Sequence, residues 1–123
     1  MHQGQNRKIL IIEDDNDIRV MLSFILGEDY DVVLCQDGRS GIASALQERP
    51  DLILLDIYMA GMSGLEVCRV VRETTGISSI PIILLTAGAM KDEVAQALAN
   101  GADDILFKPF DPVELVERIE KLL

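Results

Sequence analysis

Five short, uncharged runs of apolar residues limit the folds open to this chain more than any other feature. The runs are continuous rather than alternating, and a helical pattern of apolar residues follows each one. Continuous runs predict strands that are covered on both faces, and strands that alternate with helices favour a parallel sheet between two helical layers. We predict the strands at residues 9–12, 32–35, 52–55, 82–85 and 105–107.

The intervening helices are expected to turn their apolar residues toward this sheet. The last helix has the clearest start, because Asp111 is a favourable N-cap, Pro112 suits the first turn and Glu114 completes a capping box. Gly27 and Gly76 are expected to end the first and third helices. The predicted buried stripe of the last helix is Val113, Val116 and Ile119 with Leu122 or Leu123, and Val94, Ala95 and Leu98 mark the helix before it.

The alternation of strands and helices predicts a (βα)5 domain of the doubly wound α/β class, since crossovers between parallel strands are right-handed. A chain of 123 residues has room for one domain. We therefore place a single domain at residues 1–123, with residues 1–7 as a flexible amino-terminal segment.

The charge balance excludes several classes of partner. Lys and Arg number 11 against 21 Asp and Glu, which gives a net charge of −10. Such a field repels phosphate backbones and anionic lipids, so we expect neither direct nucleic-acid binding nor membrane binding. The sequence has no uncharged stretch long enough to cross a bilayer and no signal peptide pattern, so we expect a cytoplasmic protein.

Few residues in the chain are suited to nucleophilic catalysis. Cys35 and Cys68 lie in apolar stretches with no metal-ligand spacing, and we expect reduced thiols in the core. His2 is the only histidine and lies near a terminus, which argues against a Ser-His-Asp or Cys-His mechanism.

The residues that follow the predicted strands carry the chemistry. In an open parallel sheet ligands bind at the carboxyl ends of the strands, and these ends deliver Glu13 and Asp14, Asp56, Thr86 and Lys108. Two carboxylates about 5 Å apart repel by roughly 3 kcal/mol at an effective dielectric constant near 20. A single ammonium cannot neutralise three of them, so this edge predicts a site for Mg²⁺ or Mn²⁺. The nearby Asp15 and Asn16 are better explained as helix caps.

Four segments of the sequence together resemble the receiver domain of two-component response regulators. They are IIEDDNDIRVML, LILLDIYMAGMSGLE, PIILLTA and GADDILFKPFDPVEL, and the resemblance extends over residues 8–123. It implies a flavodoxin-like three-layer sandwich with a five-stranded parallel sheet in the order 2-1-3-4-5.

The resemblance also implies the roles of the acidic residues. Asp56 is the expected phosphoacceptor, which takes a phosphoryl group from a phosphohistidine of a partner kinase. Asp14 is the expected direct ligand of Mg²⁺, Glu13 holds the ion through water, and the backbone carbonyl of Tyr58 completes the protein ligands.

Further residues are implied around the phosphoryl group. Lys108 is expected to pair with one phosphoryl oxygen, and Pro109, after a cis peptide bond, fixes the turn that aims it. The Thr86 hydroxyl is expected to bond a second oxygen, while Ala87 and Met59 line the phosphoryl pocket.

Three residues depart from the family pattern. Ile105 stands where the family often has an aromatic ring that moves with the threonine, so we predict a switch at Thr86 and Ile105 without the aromatic movement. Ala60 replaces a common proline, which should loosen the loop after Asp56. Tyr58 is bulky at a position that can hinder the hydrolytic water, and we predict slow autodephosphorylation.

The expected partners are a sensor histidine kinase or a histidine phosphotransfer protein, and a downstream effector. A phosphorylation-dependent homodimer through the last two helices is a further expectation. Three other functions stay open: an FMN carrier, a phosphatase with an aspartyl intermediate and a receiver used only for docking. The acidic first loop argues against FMN, and Tyr58 stands where such a phosphatase needs a second acid.

Overall fold

The structure is a computed structural model and describes residues 6–88 and 91–123. Five strands alternate with five helices, and each predicted strand is present. In chain order the elements are β1 (Lys8–Ile12), α1 (Asn16–Leu26), β2 (Asp31–Cys35), α2 (Gly38–Glu48), β3 (Leu52–Asp56), α3 (Gly64–Glu73), β4 (Ile82–Thr86), α4 (Lys91–Ala99), β5 (Asp104–Phe107) and α5 (Pro112–Leu122).

All the strands are parallel and lie in the order β2-β1-β3-β4-β5, which confirms the predicted topology. The chain reverses its winding direction between β1 and β3, as a doubly wound sheet requires. The register pairs Ile12 with both Cys35 and Leu55, and it pairs Asp56 with Leu85. The carboxyl ends of these strands therefore meet at one edge.

Two hydrophobic clusters lie on opposite faces of the sheet. Alternate strand residues such as Leu10 and Ile53 pack with α2, α3 and α4, whereas their neighbours Ile9 and Leu52 pack with α1 and α5. Strands β3 and β4 are buried at every position, which explains why their sequences are continuous apolar runs. Cys35 and Cys68 are free and buried, as predicted.

The helix starts agree in part with the prediction. Asp15 caps α1 by accepting hydrogen bonds from the backbone nitrogens of Asp17 and Ile18, which confirms its assignment as a cap. Asp111 caps α5, and Pro112 lies in the first turn. The capping box predicted at Glu114 is wrong, because that carboxylate accepts from Arg118 instead.

The buried stripe predicted for the last helix is confirmed at Ile119 and is wrong at Val113, while Val116 is half-buried against the core. In α5 the buried residues are Leu115 and Ile119, and Val113 is 65% exposed because it lies about 200° around the helix from Leu115. In the preceding helix Ala97 is buried, whereas its neighbour Leu98 is 54% exposed and Ala95 is exposed.

The predicted ends of two helices need a similar correction. Gly27 ends α1 but keeps a right-handed φ of −67°. Helix α3 ends at Glu73 with Thr74 as its C-cap, before Gly76, whose φ of +95° belongs to the following turn.

Residues 1–5 of the segment predicted to be flexible, with His2 among them, lie outside the described residues. Arg7 at its end contacts the sheet, since its carbonyl accepts from the Asp31 nitrogen. Within the parts of the chain that the structure describes, every helix is too short or too polar to cross a membrane.

Candidate functional site

The candidate site is built at the carboxyl edge of the sheet. Glu13 directly follows β1 and continues its pairing, since its backbone nitrogen donates to the Cys35 carbonyl at 3.0 Å. Asp56 is the last residue of β3 and Thr86 the last of β4. Lys108 directly follows β5, and its backbone nitrogen donates to the Thr86 carbonyl at 2.7 Å. Sheet hydrogen bonding thus places side chains from distant parts of the sequence next to one another.

Three carboxylates and one ammonium meet at this edge. Glu13, Asp14 and Asp56 each have an oxygen within 4.8 Å of the others. The Lys108 Nζ lies 2.8 Å from Glu13 Oε1 and 3.4 Å from Asp56 Oδ1. Glu13 is fully buried, Asp56 is 4% exposed and Asp14 is exposed. One ammonium therefore faces an excess of negative charge in a partly desolvated space.

The titration of these groups reflects that excess. Burial raises the pKa of Glu13 to about 7, and Asp56 adds to the effect while the Lys108 hydrogen bond opposes it. Burial also raises the pKa of Asp56, against the lowering effects of Glu13 and Lys108. For Lys108, burial lowers the pKa, but the hydrogen bond to Glu13 and the two negative charges outweigh it and the net shift is upward. The donors are all oxygens, and they fit a hard divalent cation.

The loop between β3 and α3 also contacts the Asp56 carboxylate. The Tyr58 backbone nitrogen donates to Asp56 Oδ1 at 3.3 Å, and its ring is 58% exposed. Met59 and Met62 are half-buried and pack against the cluster beneath α2, α3 and α4. The Met59 side chain, predicted to line the phosphoryl pocket, therefore contributes to the core.

Thr86 and the two residues after it form the part of the site that follows β4. The Thr86 side chain is fully buried, and its Oγ1 accepts a hydrogen bond from the Gly88 nitrogen at 3.0 Å. Ala87 is exposed beside it. The Lys108–Pro109 peptide bond is cis, which confirms that expectation. Ile105 pairs with Leu84 in the sheet and packs against the same cluster as the two methionines.

Two further residues shape the site and were missed in the sequence. Arg19 Nη1 donates to the backbone carbonyl of Glu13 at 2.6 Å. Gly64 begins α3 so close to the end of β3 that a Cβ there would lie 2.2 Å from the Asp56 carbonyl oxygen. In the sequence, the signal for Arg19 was its position one turn beyond the acidic run. The signal for Gly64 was its position directly after Ser63, the N-cap that forms a capping box with Glu66.

The fold and the site together define a doubly wound α/β domain with an acidic site at the carboxyl edge of its sheet, and comparisons with known proteins identify the family. The family described as response regulator receiver domain matches residues 9–120. The DNA-binding response regulator MtrA of Mycolicibacterium paratuberculosis is 41% identical over 118 residues, which cover 95% of this chain and 51% of that protein. The transcriptional regulatory protein ResD of Bacillus subtilis is 40% identical over 124 residues, covering 100% and 50%. The chain spans about half the length of these curated relatives.

Solved structures give the same result. The chemotaxis protein CheY4 of Vibrio cholerae has a TM-score of 0.92 at 33% identity, covering 96% of this chain and 99% of that one. The receiver domain of the sensor histidine kinase PA1611 from Pseudomonas aeruginosa, with a magnesium ion in its active site cleft, has a TM-score of 0.88 at 30% identity, covering 95% and 97%. The chain belongs to the response regulator receiver domain family of two-component signal transduction.

Proposed function

We propose that this chain is a phosphoacceptor, in which Asp56 receives a phosphoryl group from the phosphohistidine of a sensor histidine kinase or a histidine phosphotransfer protein. The observation that carries the proposal is the placement of the Asp56 carboxylate among Glu13, Asp14 and Lys108 at one sheet edge. Membership of the receiver family supports it and disfavours the FMN carrier.

The cofactor of this reaction is Mg²⁺, with Mn²⁺ as the alternative. The carboxylates of Glu13, Asp14 and Asp56 and the backbone carbonyl of Tyr58 would hold it, and all of these donors are oxygens. When bound, the ion supplies positive charge for the phosphoryl oxygens. The magnesium ion in the PA1611 receiver domain supports this assignment.

Asp56 reacts as the nucleophile. One of its oxygens bonds to phosphorus while the bond from phosphorus to the histidine nitrogen breaks, and the electron pair returns to the imidazole, which takes up a proton. The products are an aspartyl phosphate and a free histidine on the donor. Water later cleaves the acyl phosphate to inorganic phosphate and restores the carboxylate. The chain thus acts only on itself and is not an enzyme with turnover of a free substrate.

The neighbouring side chains stabilise the phosphoryl group. Lys108, which already contacts Asp56, pairs with one phosphoryl oxygen. The Thr86 hydroxyl rotates from the Gly88 amide to donate to another oxygen. Ala87 and Met59 border the space for the group. Because Ile105 is aliphatic, the conformational switch runs through Thr86 without a moving aromatic ring.

The test is incubation of the chain with acetyl phosphate, with and without Mg²⁺, followed by intact mass measurement. We expect a gain of one phosphoryl group that requires the metal and is lost in Asp56→Asn. The matched control is Asp51→Asn, which removes an exposed carboxylate at the opposite end of the same strand and should leave phosphorylation unchanged.

This experiment and an assay with a phosphate ester together separate the remaining alternatives. A chain used only for docking would gain no mass, whereas a phosphatase would turn over a phosphate ester in bulk. Phosphorylation that persists in Asp56→Asn would contradict the assignment of the acceptor.

The partners follow from the family. Response regulators interact with histidine kinases and with output effectors, and several relatives of this chain are DNA-binding regulators. We therefore infer an effector that reads the phosphorylated surface, without direct DNA binding by this acidic domain. A phosphorylation-dependent homodimer through α4 and α5 and a cytoplasmic location stay predictions, and sedimentation with and without acetyl phosphate tests the first.

A further inference from the structure

Arg19 supports the loop that contains Glu13 and Asp14 through a hydrogen bond to its backbone. This half-buried side chain turns back from α1, and its Nη1 donates to the Glu13 carbonyl at 2.6 Å while its Nη2 donates to Asn16 Oδ1 at 3.1 Å. The backbone nitrogen of Arg19 donates to the Asp15 carbonyl at 3.0 Å, so the first turn of the helix is regular beneath it. Arg19 therefore connects the rigid start of α1 to the end of β1.

Each polar group of Glu13 takes part in a hydrogen bond. Its nitrogen donates to the Cys35 carbonyl, its carbonyl accepts from Arg19, and its carboxylate accepts from the Asp15 nitrogen at 3.1 Å and from Lys108. Among these contacts, the Arg19 hydrogen bond is the one that comes from α1. It holds the Glu13 carbonyl, which belongs to the peptide group that precedes Asp14.

Asp14 has no comparable support of its own. Its carboxylate is exposed, and among the residues that the structure describes no hydrogen bond reaches it. The position of the Asp14 carboxylate is therefore set by the peptide groups on either side of it. One of these is the Glu13–Asp14 peptide, whose oxygen Arg19 holds.

We propose that Arg19 is a positioning residue for the divalent cation: by fixing the Glu13 carbonyl, it holds the Asp14 carboxylate where the cation is bound. The inference rests on the proposed function. Positioning and charge make opposite predictions here. A guanidinium repels a nearby cation, so an arginine that acted through charge alone would weaken Mg²⁺ binding, and its removal would tighten it. An arginine that positions a ligand would weaken binding when it is removed.

The experiment is isothermal titration of Mg²⁺ into the full chain at constant ionic strength. For Arg19→Gln we expect the Kd for Mg²⁺ to rise about tenfold, the effect typical of lost support for a metal ligand. Arg19→Lys keeps the charge and one donor, and its Kd should rise by a smaller factor. Arg69→Gln is the matched control, since it removes the same charge from an exposed arginine on α3 paired with Glu73, and its Kd should not rise.

Two further measurements separate positioning from general stability. The rate of phosphoryl gain from acetyl phosphate in Arg19→Gln should recover to within about twofold of wild type at saturating Mg²⁺, because the lost affinity is then overcome. Thermal unfolding in EDTA measures any loss of stability without metal. If the role of Arg19 is merely structural, Arg19→Gln should lose stability while the Kd of the folded protein for Mg²⁺ stays unchanged.

A Kd for Arg19→Gln that is unchanged or lower than that of wild type overturns the inference. The same holds if the phosphorylation rate stays low at saturating Mg²⁺ in a variant that is folded. If Arg19→Gln does not fold, the Kd of Arg19→Lys decides, and an unchanged value overturns the inference. Failure of the wild-type chain to bind Mg²⁺ or gain phosphate would instead overturn the proposed function.

Discussion

Replacing Gly64 by alanine should impair phosphorylation far more than it destabilises the fold. A Cβ at this position would lie 2.2 Å from the Asp56 carbonyl oxygen and 2.8 Å from the Ile57 Cα. Both contacts are to backbone atoms, so no change of rotamer relieves them. Because ordinary contacts of carbon begin near 3.5 Å, the start of α3 and the end of β3 must separate by about 1 Å.

The cost of this separation can be bounded from the structure. Overpacking of a buried position typically costs about 1–3 kcal/mol, and the hydrogen bond from the Gly64 nitrogen to the Ile57 carbonyl, 2.8 Å long, must lengthen as well. A domain with a stability of about 5–15 kcal/mol remains folded after such a loss. Displacement of Asp56 by about 1 Å, however, should slow phosphoryl transfer by about 100-fold.

The assay combines urea denaturation with the rate of phosphoryl gain from acetyl phosphate at saturating Mg²⁺. Gly41→Ala is the matched control, because its Cβ would meet only side-chain atoms of Ile12, with Cγ1 at 2.7 Å and Cγ2 at 3.0 Å among them, and no backbone atom of Asp56. We expect a comparable loss of stability there with little change in rate. A folded Gly64→Ala that is phosphorylated at the wild-type rate, or an equal loss of rate in both variants, would refute the reasoning.

Three other predictions test separate parts of the molecule. Tyr58→Ala should shorten the lifetime of the phosphorylated chain severalfold, measured as loss of the added mass, because the exposed ring no longer hinders water; an unchanged lifetime removes that role. Arg72→Met should lower the free energy of unfolding, measured by urea denaturation, by about 2–3 kcal/mol. The reason is that Arg72 donates to the carbonyls of Gly101 and Ile80 and to Asp103. An effect below about 0.5 kcal/mol, as expected for a surface site, contradicts the prediction. Burial raises the pKa of the Cys68 thiol, so iodoacetamide should modify it slowly in the native protein and fast in urea, and equal rates would argue against its burial.

The sheet and the place of the site could be predicted from the sequence for a shared physical reason. Strands β3 and β4 are buried on both faces, so their sequences must be apolar throughout and stand out as continuous runs. The first polar residue at the end of such a run marks its carboxyl end, and parallel pairing brings these ends together. Asp56 and Thr86 were located in this way, although the strand order itself came from the resemblance to receivers.

The faces of the last two helices could not be predicted with the same rule. These helices contain more apolar residues than one face can bury, and helical spacing alone does not choose among them. The sheet selects Leu115 and Ala97, which leaves Val113 and Leu98 exposed. Local capping had a similar ambiguity, because Glu114 could accept from its own helix start or from Arg118, and the charged partner prevailed.

The contribution of Arg19 was hidden for a different reason. Its contact is to a backbone carbonyl, and every residue has one, so no pattern of residue types announces the bond. Gly64 was hidden likewise, because its role depends on the distance between two backbones. Sequence reasoning found the groups that carry charge to the site and missed those that determine where the charges are held.

The distribution of acidic residues shows where the fold accepts unfavourable electrostatics. Asp15, Asp37 and Asp111 cap helices, where a carboxylate is stabilised by backbone nitrogens. Glu13 and Asp56 are instead buried beside each other, and among the residues that the structure describes Lys108 is the one cation that contacts both. Replacing this group by apolar residues would relieve that repulsion, so the arrangement has no stability argument in its favour. A local conflict of this kind, set in an otherwise consistent fold, is expected at a functional site and agrees with the proposed binding of an added cation and an added phosphoryl group.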